Sequence, residues 1–301
     1  MIGKCYLGFI FETEVEKDRY ISPFISENIT FIPYVPSPKE LEVFKKAYSD
    51  VSFITKYDVE KKDYAVYVKI PNHEEKKFYW CDGKFLPEEE LINSEKYGKV
   101  LYLYDKELRD PASLTTEEKE KLKEFTSASN RKNGSGTSMF LFDYIYDAPN
   151  QIRIEEHIKT IRFLNHRTKV HERILEPLKN VERKILEIAE TDEDVKIFVN
   201  KIKSTDAYYW RQIAGTNRKS FHSLGIAIDI LPVKITGEMF WSWTKEKNPD
   251  SWMLTPFSSR WTPPEKVIEA FEEEGFIWGG KWMIWDNMHF EYHPELMQDW
   301  D

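Results

Sequence analysis

Two segments in the last third of the chain carry imidazole and carboxylate side chains at spacings that suit a metal ion. His222 and Asp229 lie seven residues apart, with Gly225 between them and an apolar run, Ile226–Leu231, around the aspartate. A helix does not continue easily through that glycine and the β-branched residues after it, whereas a turn followed by a strand does. Such a turn could bring the imidazole and the carboxylate to one point, and both groups are good zinc donors.

A second imidazole, His289, lies near the end of the chain. Two histidines and one aspartate make three protein ligands, the number that catalytic zinc sites use when they leave the fourth place to water. Asp286 lies three residues before His289, where a carboxylate could act as general base. The spacing alone leaves an alternative open, in which Asp229 ends a strand and His289 packs in an aromatic core.

The remaining histidines give weaker signals. His73, His157, His166 and His171 lie in polar or helical segments without a partner pattern, and we expect surface or core roles for them. His293 follows His289 closely and is expected to be exposed.

Composition narrows the class of protein. The 301 residues have a formal net charge of -9 and no dense Lys/Arg stripe, which argues against nucleic-acid binding. No run of 18 or more apolar residues occurs, so no membrane span is expected. Residues 1–13 lack the pattern of a secretory signal. Cys5 and Cys81 have no metal-ligand spacing, and whether they pair stays open.

The N-terminal part, residues 1–148, mixes short β-like runs with turns. Strands are predicted at Tyr64–Val68 and Val100–Tyr104, and a helix after the capping signal at Thr115. The small, polar stretch 127–138 indicates a loop.

From about residue 150 onward, helical periodicity dominates at first. Apolar residues predict helices over 154–164 and 174–188, and a third from Asp192 that carries Val195, Val199 and Ile202. Strands and tight turns are expected after Ser204. The further predicted elements are a strand at 226–231, a helix within 262–275, and strands at 276–278 and 288–292.

Two motifs resemble a known family. Residues 220–229, SFHSLGIAID, resemble the SxHxxGxAxD motif of the zinc D-alanyl-D-alanine peptidases. Residues 286–291, DNMHFE, are similar to that family's second motif, an acid three residues before a histidine followed by Phe-Glu. The aspartate at its first position is more like the L-alanyl-D-glutamate endopeptidase and VanY-like branches. The segment 275–282 also resembles the lead-in, and the likeness covers roughly residues 150–301.

The resemblance implies a role for each site residue. His222, Asp229 and His289 would hold Zn²⁺, and Asp286 would be the catalytic base. An upstream arginine of the family supports the oxyanion. Arg211 matches it better than Arg218. Ser220 and Glu291 could orient the site, or could equally form a turn hydrogen bond and a solvated strand end.

The fold expected from this resemblance is α+β, with helices packed on a small antiparallel sheet that holds the zinc, as in hedgehog-type relatives. Residues 149–301 would form the catalytic domain and residues 1–148 an α+β region of unknown role. The predicted activity is D-alanyl-D-alanine carboxypeptidase on the peptidoglycan stem peptide, in the periplasm or outside the cell. An L-alanyl-D-glutamate endopeptidase and a non-catalytic zinc-bearing wall-binding module are the alternatives.

Overall fold

The computed structural model describes residues 38–104, 110–213 and 216–298. The strands are β1 (Ser52–Asp58), β2 (Asp63–Lys69), β3 (Lys76–Tyr79), β4 (Tyr97–Gly98), β5 (Gly136–Thr137), β6 (Ile158–Phe163), β7 (His166–His171), β8 (Ile202–Asp206), β9 (Ala227–Pro232), β10 (Phe276–Trp278) and β11 (His289–Tyr292). The α-helices are α1 (Glu40–Ala47), α2 (Thr116–Phe125), α3 (Ala128–Asn133), α4 (Phe140–Ile145), α5 (Gln151–His157), α6 (Leu175–Ala189), α7 (Glu193–Asn200), α8 (Trp241–Lys247) and α9 (Glu265–Glu272). Short 3₁₀ turns connect several of them.

A four-stranded antiparallel sheet organises the C-terminal half. Its order is β10-β11-β9-β8, so the strands that follow the two histidine motifs lie side by side in its centre. The register places His289 opposite Asp229, and Asp206 opposite Asp229 on the other side. This pairing brings together residues that are sixty positions apart in the sequence.

Helix α9 packs against this sheet and α6 packs on α9, both through amphipathic faces. In α6, Leu178, Val181 and Ile185 are fully buried, and in α9 Phe271 stacks on Phe290 of β11 at 4.0 Å between ring centroids. Burial of such side chains stabilises a fold by about 1.5–3 kcal/mol each. The sheet that carries the site is therefore backed by a rigid apolar layer.

The N-terminal half has its own antiparallel sheet, β1-β2-β3, flanked by α1. Its buried face joins the main core. That core includes Phe44 and Val66 from this half and Ile185 and Phe290 from the other. The division at residue 148 stays a prediction, and apolar packing is continuous across it.

Most predicted elements are confirmed. The capping box at Thr115 begins α2, Asp192 caps α7, and the predicted strands β2, β9, β10 and β11 are present. The α+β class is also confirmed, while the likeness to a hedgehog-type fold stays a prediction. Among the described residues, no helix has the length and apolar character to cross a membrane. Cys5 and the stretch 1–13 lie outside the described residues.

The helix predicted over 154–164 is wrong in its second half. α5 ends at His157, and residues 158–171 form the hairpin β6–β7. Its two-residue turn, Leu164 and Asn165, has positive φ at both positions (46° and 67°), the geometry of a type I′ hairpin. The apolar spacing of residues 154–164 fits both the helical and the strand period, and the type I′ turn favours the hairpin.

Three smaller predictions also fail. Val100–Tyr104 is not a strand; Val100, Leu101 and Tyr104 are buried in the core without sheet pairing. The predicted loop 127–138 contains α3, because the Ser127 side chain accepts a hydrogen bond from the Asn130 N–H and caps it. Ile202 belongs to β8 and not to α7.

Candidate metal centre

A tight turn presents His222. The 3₁₀ turn Phe221–Leu224 begins at Ser220, whose Oγ accepts a hydrogen bond from the His222 N–H at 3.3 Å. It ends at Gly225 with φ +68°, and a Cβ there would lie 2.6 Å from Ile158 Cδ1. Only glycine fits both the conformation and the space, so the chain turns sharply from His222 into β9.

Three donor atoms converge where this turn meets the sheet. His222 Nε2 lies 3.2 Å from His289 Nδ1 and 3.3 Å from Asp229 Oδ2. His289 Nδ1 lies 2.7 Å from Asp229 Oδ1. All three side chains are largely buried, and one ligand atom from each falls within 4.8 Å of the others.

Two of these three separations fit a tetrahedral zinc ion as they stand. Two ligands at ~2.0–2.1 Å from such an ion are roughly 3.3 Å apart, close to the two distances that involve His222 Nε2. The carboxylate of Asp229 offers either oxygen. Two imidazoles and one carboxylate are also the donor types that zinc accepts in catalytic sites.

The other nitrogen of each imidazole is already engaged. His222 Nδ1 lies 2.5 Å from the Ala207 carbonyl oxygen, so it must carry the proton and donate it. His289 Nε2 lies 2.8 Å from Glu291 Oε1 and donates in the same way. His222 Nε2 and His289 Nδ1 are thereby the atoms left to bind a metal, and their orientation is set before any ion arrives.

Electrostatics at the site favour a cation. Burial opposes ionisation of Asp229, but His222 and His289 hold its pKa well below the ordinary value. Burial alone would lower the pKa of His289, but the Asp229 and Glu291 carboxylates raise it well above normal. Without a metal, a proton compensates the carboxylates, and a divalent ion would take its place.

Asp286 lies in the loop before β11. Its N–H donates to the Gly279 carbonyl at 3.0 Å, and its own carbonyl accepts from the His289 N–H at 3.3 Å. A Cβ at Gly279 would lie 2.7 Å from the Asp286 oxygen, so only glycine allows this approach. The loop is also fixed by a bridge between Phe240 and Asp286.

The pKa of the Asp286 carboxyl lies close to neutral pH. Burial, reinforced by the charges of Asp229 and Glu291 and opposed by His289, raises its pKa to about 7. Within the described part of the chain, Asp286 Oδ1 is buried and has no hydrogen-bond partner. A carboxyl with these properties can exchange a proton with a reacting group near neutral pH.

A cleft of about 380 Å³ opens on one side of the donors. Its lining includes His222, Asp229 and Arg211 but not Asp286. The Arg211 backbone is fixed by Ser223, whose Oγ accepts from the Arg211 N–H at 2.9 Å and donates to its carbonyl at 2.7 Å. Arg211 thus lines the same cleft as His222 and Asp229.

Arg218 is placed elsewhere. Its side chain packs on Gly136, and its Nη2 donates to the Arg131 carbonyl at 3.3 Å. It does not line the cleft. Of the two arginines considered from the sequence, Arg211 is the one that the structure brings to the donors.

The sequence did not indicate some of the residues at the cleft. Arg167 and Lys169 of β7 line the cleft, because the hairpin that the periodicity concealed packs beside β8. Ser223 lies within the motif itself, next to His222.

Two expectations about burial are wrong. Glu291 is buried and not at a solvated strand end, and His293, expected to be exposed, is only 2% exposed. His293 is buried because β11 leads directly into the core.

A second group of histidines surrounds Asp147, which the sequence did not connect with them. His73 Nε2 and His157 Nε2 lie 3.2 and 3.1 Å from Asp147 Oδ2, and Arg153 pairs with the same oxygen. His171 is a satisfied core residue, with Nε2 donating to the Tyr146 carbonyl at 3.1 Å.

Comparisons with known proteins bear on both halves. A protein-family model described as D-alanyl-D-alanine carboxypeptidase matches residues 214–292. This match supports the zinc D-alanyl-D-alanine peptidase family in the broad sense. A second model, described as a domain of unknown function, matches residues 40–102. No curated protein and no solved structure matches the chain.

Proposed function

We propose that this chain is a zinc peptidase that hydrolyses peptidoglycan peptides. The observation that carries the proposal is the convergence of His222, Asp229 and His289 inside the segment that matches the peptidase family. When bound there, zinc would act as a Lewis acid toward the scissile carbonyl and would lower the pKa of water to about 7.

The protein's own side chains transfer the proton, stabilise the oxyanion and position these groups. Asp286 takes a proton from the attacking water and returns it to the leaving amine, which a carboxyl with a pKa near neutrality does efficiently. Arg211, on the cleft wall beside His222, stabilises the negative charge that develops on the carbonyl oxygen. Ser220 and Ser223 hold the turn and the arginine in place.

The charges in the cleft support a carboxypeptidase. Arg167, Lys169 and Arg211 all line it, in a chain whose net charge is -9. None of the three forms an ion pair with another described residue. A free C-terminal carboxylate of a stem peptide is an anion that such side chains bind well. Asp206, in the same lining, accepts from Ser204 Oγ through Oδ2 and keeps Oδ1 for an amino group of the peptide.

Digestion of a defined pentapeptide muropeptide by the zinc-loaded protein, followed by mass spectrometry, tests this proposal. We expect loss of one D-alanine. Cleavage between L-alanine and D-glutamate would instead indicate the endopeptidase, and no product from zinc-bound protein would indicate a binding module.

A second test examines recognition of the C-terminal carboxylate of the substrate peptide. The double variant Arg167→Gln, Lys169→Gln should raise KM for the free peptide but not for a peptide amidated at its C-terminus. Arg183→Gln on α6, which pairs with Glu187, is the matched control. Equal effects on both peptides would exclude recognition of the carboxylate by β7.

The proposed location is the cell envelope, where this substrate occurs.

A further inference from the structure

A row of buried hydrogen bonds runs from the candidate metal site to the N-terminal half. His289 Nε2 contacts Glu291 Oε1 at 2.8 Å, and Glu291 Oε2 contacts His293 Nε2 at 3.2 Å. His293 Nδ1 contacts Glu295 Oε1 at 2.7 Å. The Tyr48 hydroxyl donates to Glu295 Oε2 at 2.7 Å. Each carboxylate in the row therefore uses both oxygens.

The row is shielded from solvent. Glu291, His293, Glu295 and Tyr48 are 8%, 2%, 0% and 5% exposed. An unpaired buried carboxylate costs several kcal/mol, and these two are compensated because both nitrogens of His293 face them and the ring is an imidazolium. Burial lowers the pKa of His293, but Glu295 and Glu291 outweigh it and raise the pKa to about 9.

Aromatic rings fix the position of His293. Phe221 meets it edge-on at 4.5 Å between ring centroids, and Phe142 of α4 at 5.4 Å. Phe221 directly precedes His222. The same turn that presents one candidate ligand therefore also holds the imidazolium that orients the carboxylate behind the other.

Tyr48 ties this row to the N-terminal half. It directly follows α1, which packs on the 3₁₀ turn Pro294–Met297 that carries Glu295. It also lies within residues 40–102, the segment that matches a domain of unknown function. Residues far from the peptidase motifs in sequence thus complete the surroundings of His289.

We propose that His293, Glu295 and Tyr48 are positioning residues of the metal site, and that the N-terminal half contributes to metal affinity through Tyr48. They hold Glu291 so that it cannot rotate away from His289 Nε2, which keeps His289 Nδ1 directed at the metal. The inference rests on the proposed function, because it requires that this site binds zinc.

Zinc affinity, measured by competition with a chromophoric chelator, tests the inference directly. Loss of an outer partner of a ligand typically weakens binding by about 10–100-fold. We expect roughly tenfold for Glu295→Gln and, since only a hydroxyl is lost, about threefold for Tyr48→Phe. The matched control is Tyr79→Phe, whose hydroxyl donates to Asp58 at 2.8 Å from a similarly buried ring. It should leave the dissociation constant unchanged.

A second readout separates positioning from general stability. In zinc-loaded protein, the imidazole ¹⁵N spectrum of His289 should report Nε2–H in the wild type and a weakened Nε2–H hydrogen bond in Glu295→Gln. If folded Tyr48→Phe and Glu295→Gln bind zinc as tightly as wild type, the inference is wrong while the proposed function stands. If wild type itself binds no zinc, both fail. Should Glu295→Gln not fold, Tyr48→Phe decides alone.

Discussion

Two clusters in this protein contain two histidines around an aspartate, and they differ in what surrounds them. At both aspartates each imidazole has one nitrogen engaged by a neighbour and the other directed at the carboxylate. At Asp147 the imidazoles share their oxygen with the Arg153 guanidinium, a permanent cation. We therefore expect a metal at Asp229 and not at Asp147, because no Lys or Arg among the described residues pairs with Asp229.

The largest expected effect comes from removing a ligand of the first cluster. His289→Ala should lower peptidase activity by more than about 10³-fold, because a Lewis acid is worth several kcal/mol in the transition state. Rates on a stem peptide, with and without a chelator, measure it. The corresponding change at the second cluster, His157→Ala, should leave the rate near that of wild type; a comparable loss there would remove the distinction between the clusters.

Asp286→Ala should separate catalysis from metal binding. General acid–base groups contribute typically about 10²–10⁴-fold, so the rate should fall in that range while zinc content stays unchanged. Metal analysis and kinetics on the same sample measure both. Full activity in this variant would show that Asp286 is not the base.

Arg211→Ala should lower kcat by about 10²–10³-fold, the usual effect of losing one oxyanion donor. Arg218→Ala is the control, because its side chain lies against Gly136 and not in the cleft. If Arg218→Ala lost more activity than Arg211→Ala, the assignment of the two arginines would have to be exchanged.

Asp286 should also govern the stability of the metal-free protein. Its pKa is raised from 3.8 to about 7, so the folded state binds this proton more tightly than the unfolded state. Folding stability is therefore lost as the pH rises between these values. The variant Asp286→Asn does not have this pH-dependent loss. Its Tm relative to that of the wild type should therefore rise by about 2 °C or more between pH 5 and pH 8. A pH-independent difference would contradict the raised pKa.

The smallest effect is expected at the second cluster. His73→Ala with His157→Ala should change zinc affinity by less than about twofold, since sites without shared partners act independently. Titration with zinc measures this. A larger change would mean that the cluster at Asp147 contributes to binding.

The sequence predicts the residues that converge at the candidate metal site better than the residues that surround and orient them. Gly225 and the β-branched run after it reveal the turn and strand that carry His222 and Asp229, because these are local preferences. The contact between Tyr48 and Glu295 spans 247 positions, and nothing local to either residue indicates it. The same holds for Arg167, whose place in the cleft depends on a hairpin that the periodicity of 154–164 leaves ambiguous.

Zinc stoichiometry shows whether His222 and His289 hold the metal. Each variant is dialysed against excess zinc, freed of unbound metal and analysed for metal per chain. We expect one zinc in wild type and in the His73→Ala, His157→Ala protein, and none in the His222→Ala, His289→Ala protein. Zinc retained at one per chain after loss of His222 and His289 would contradict this expectation.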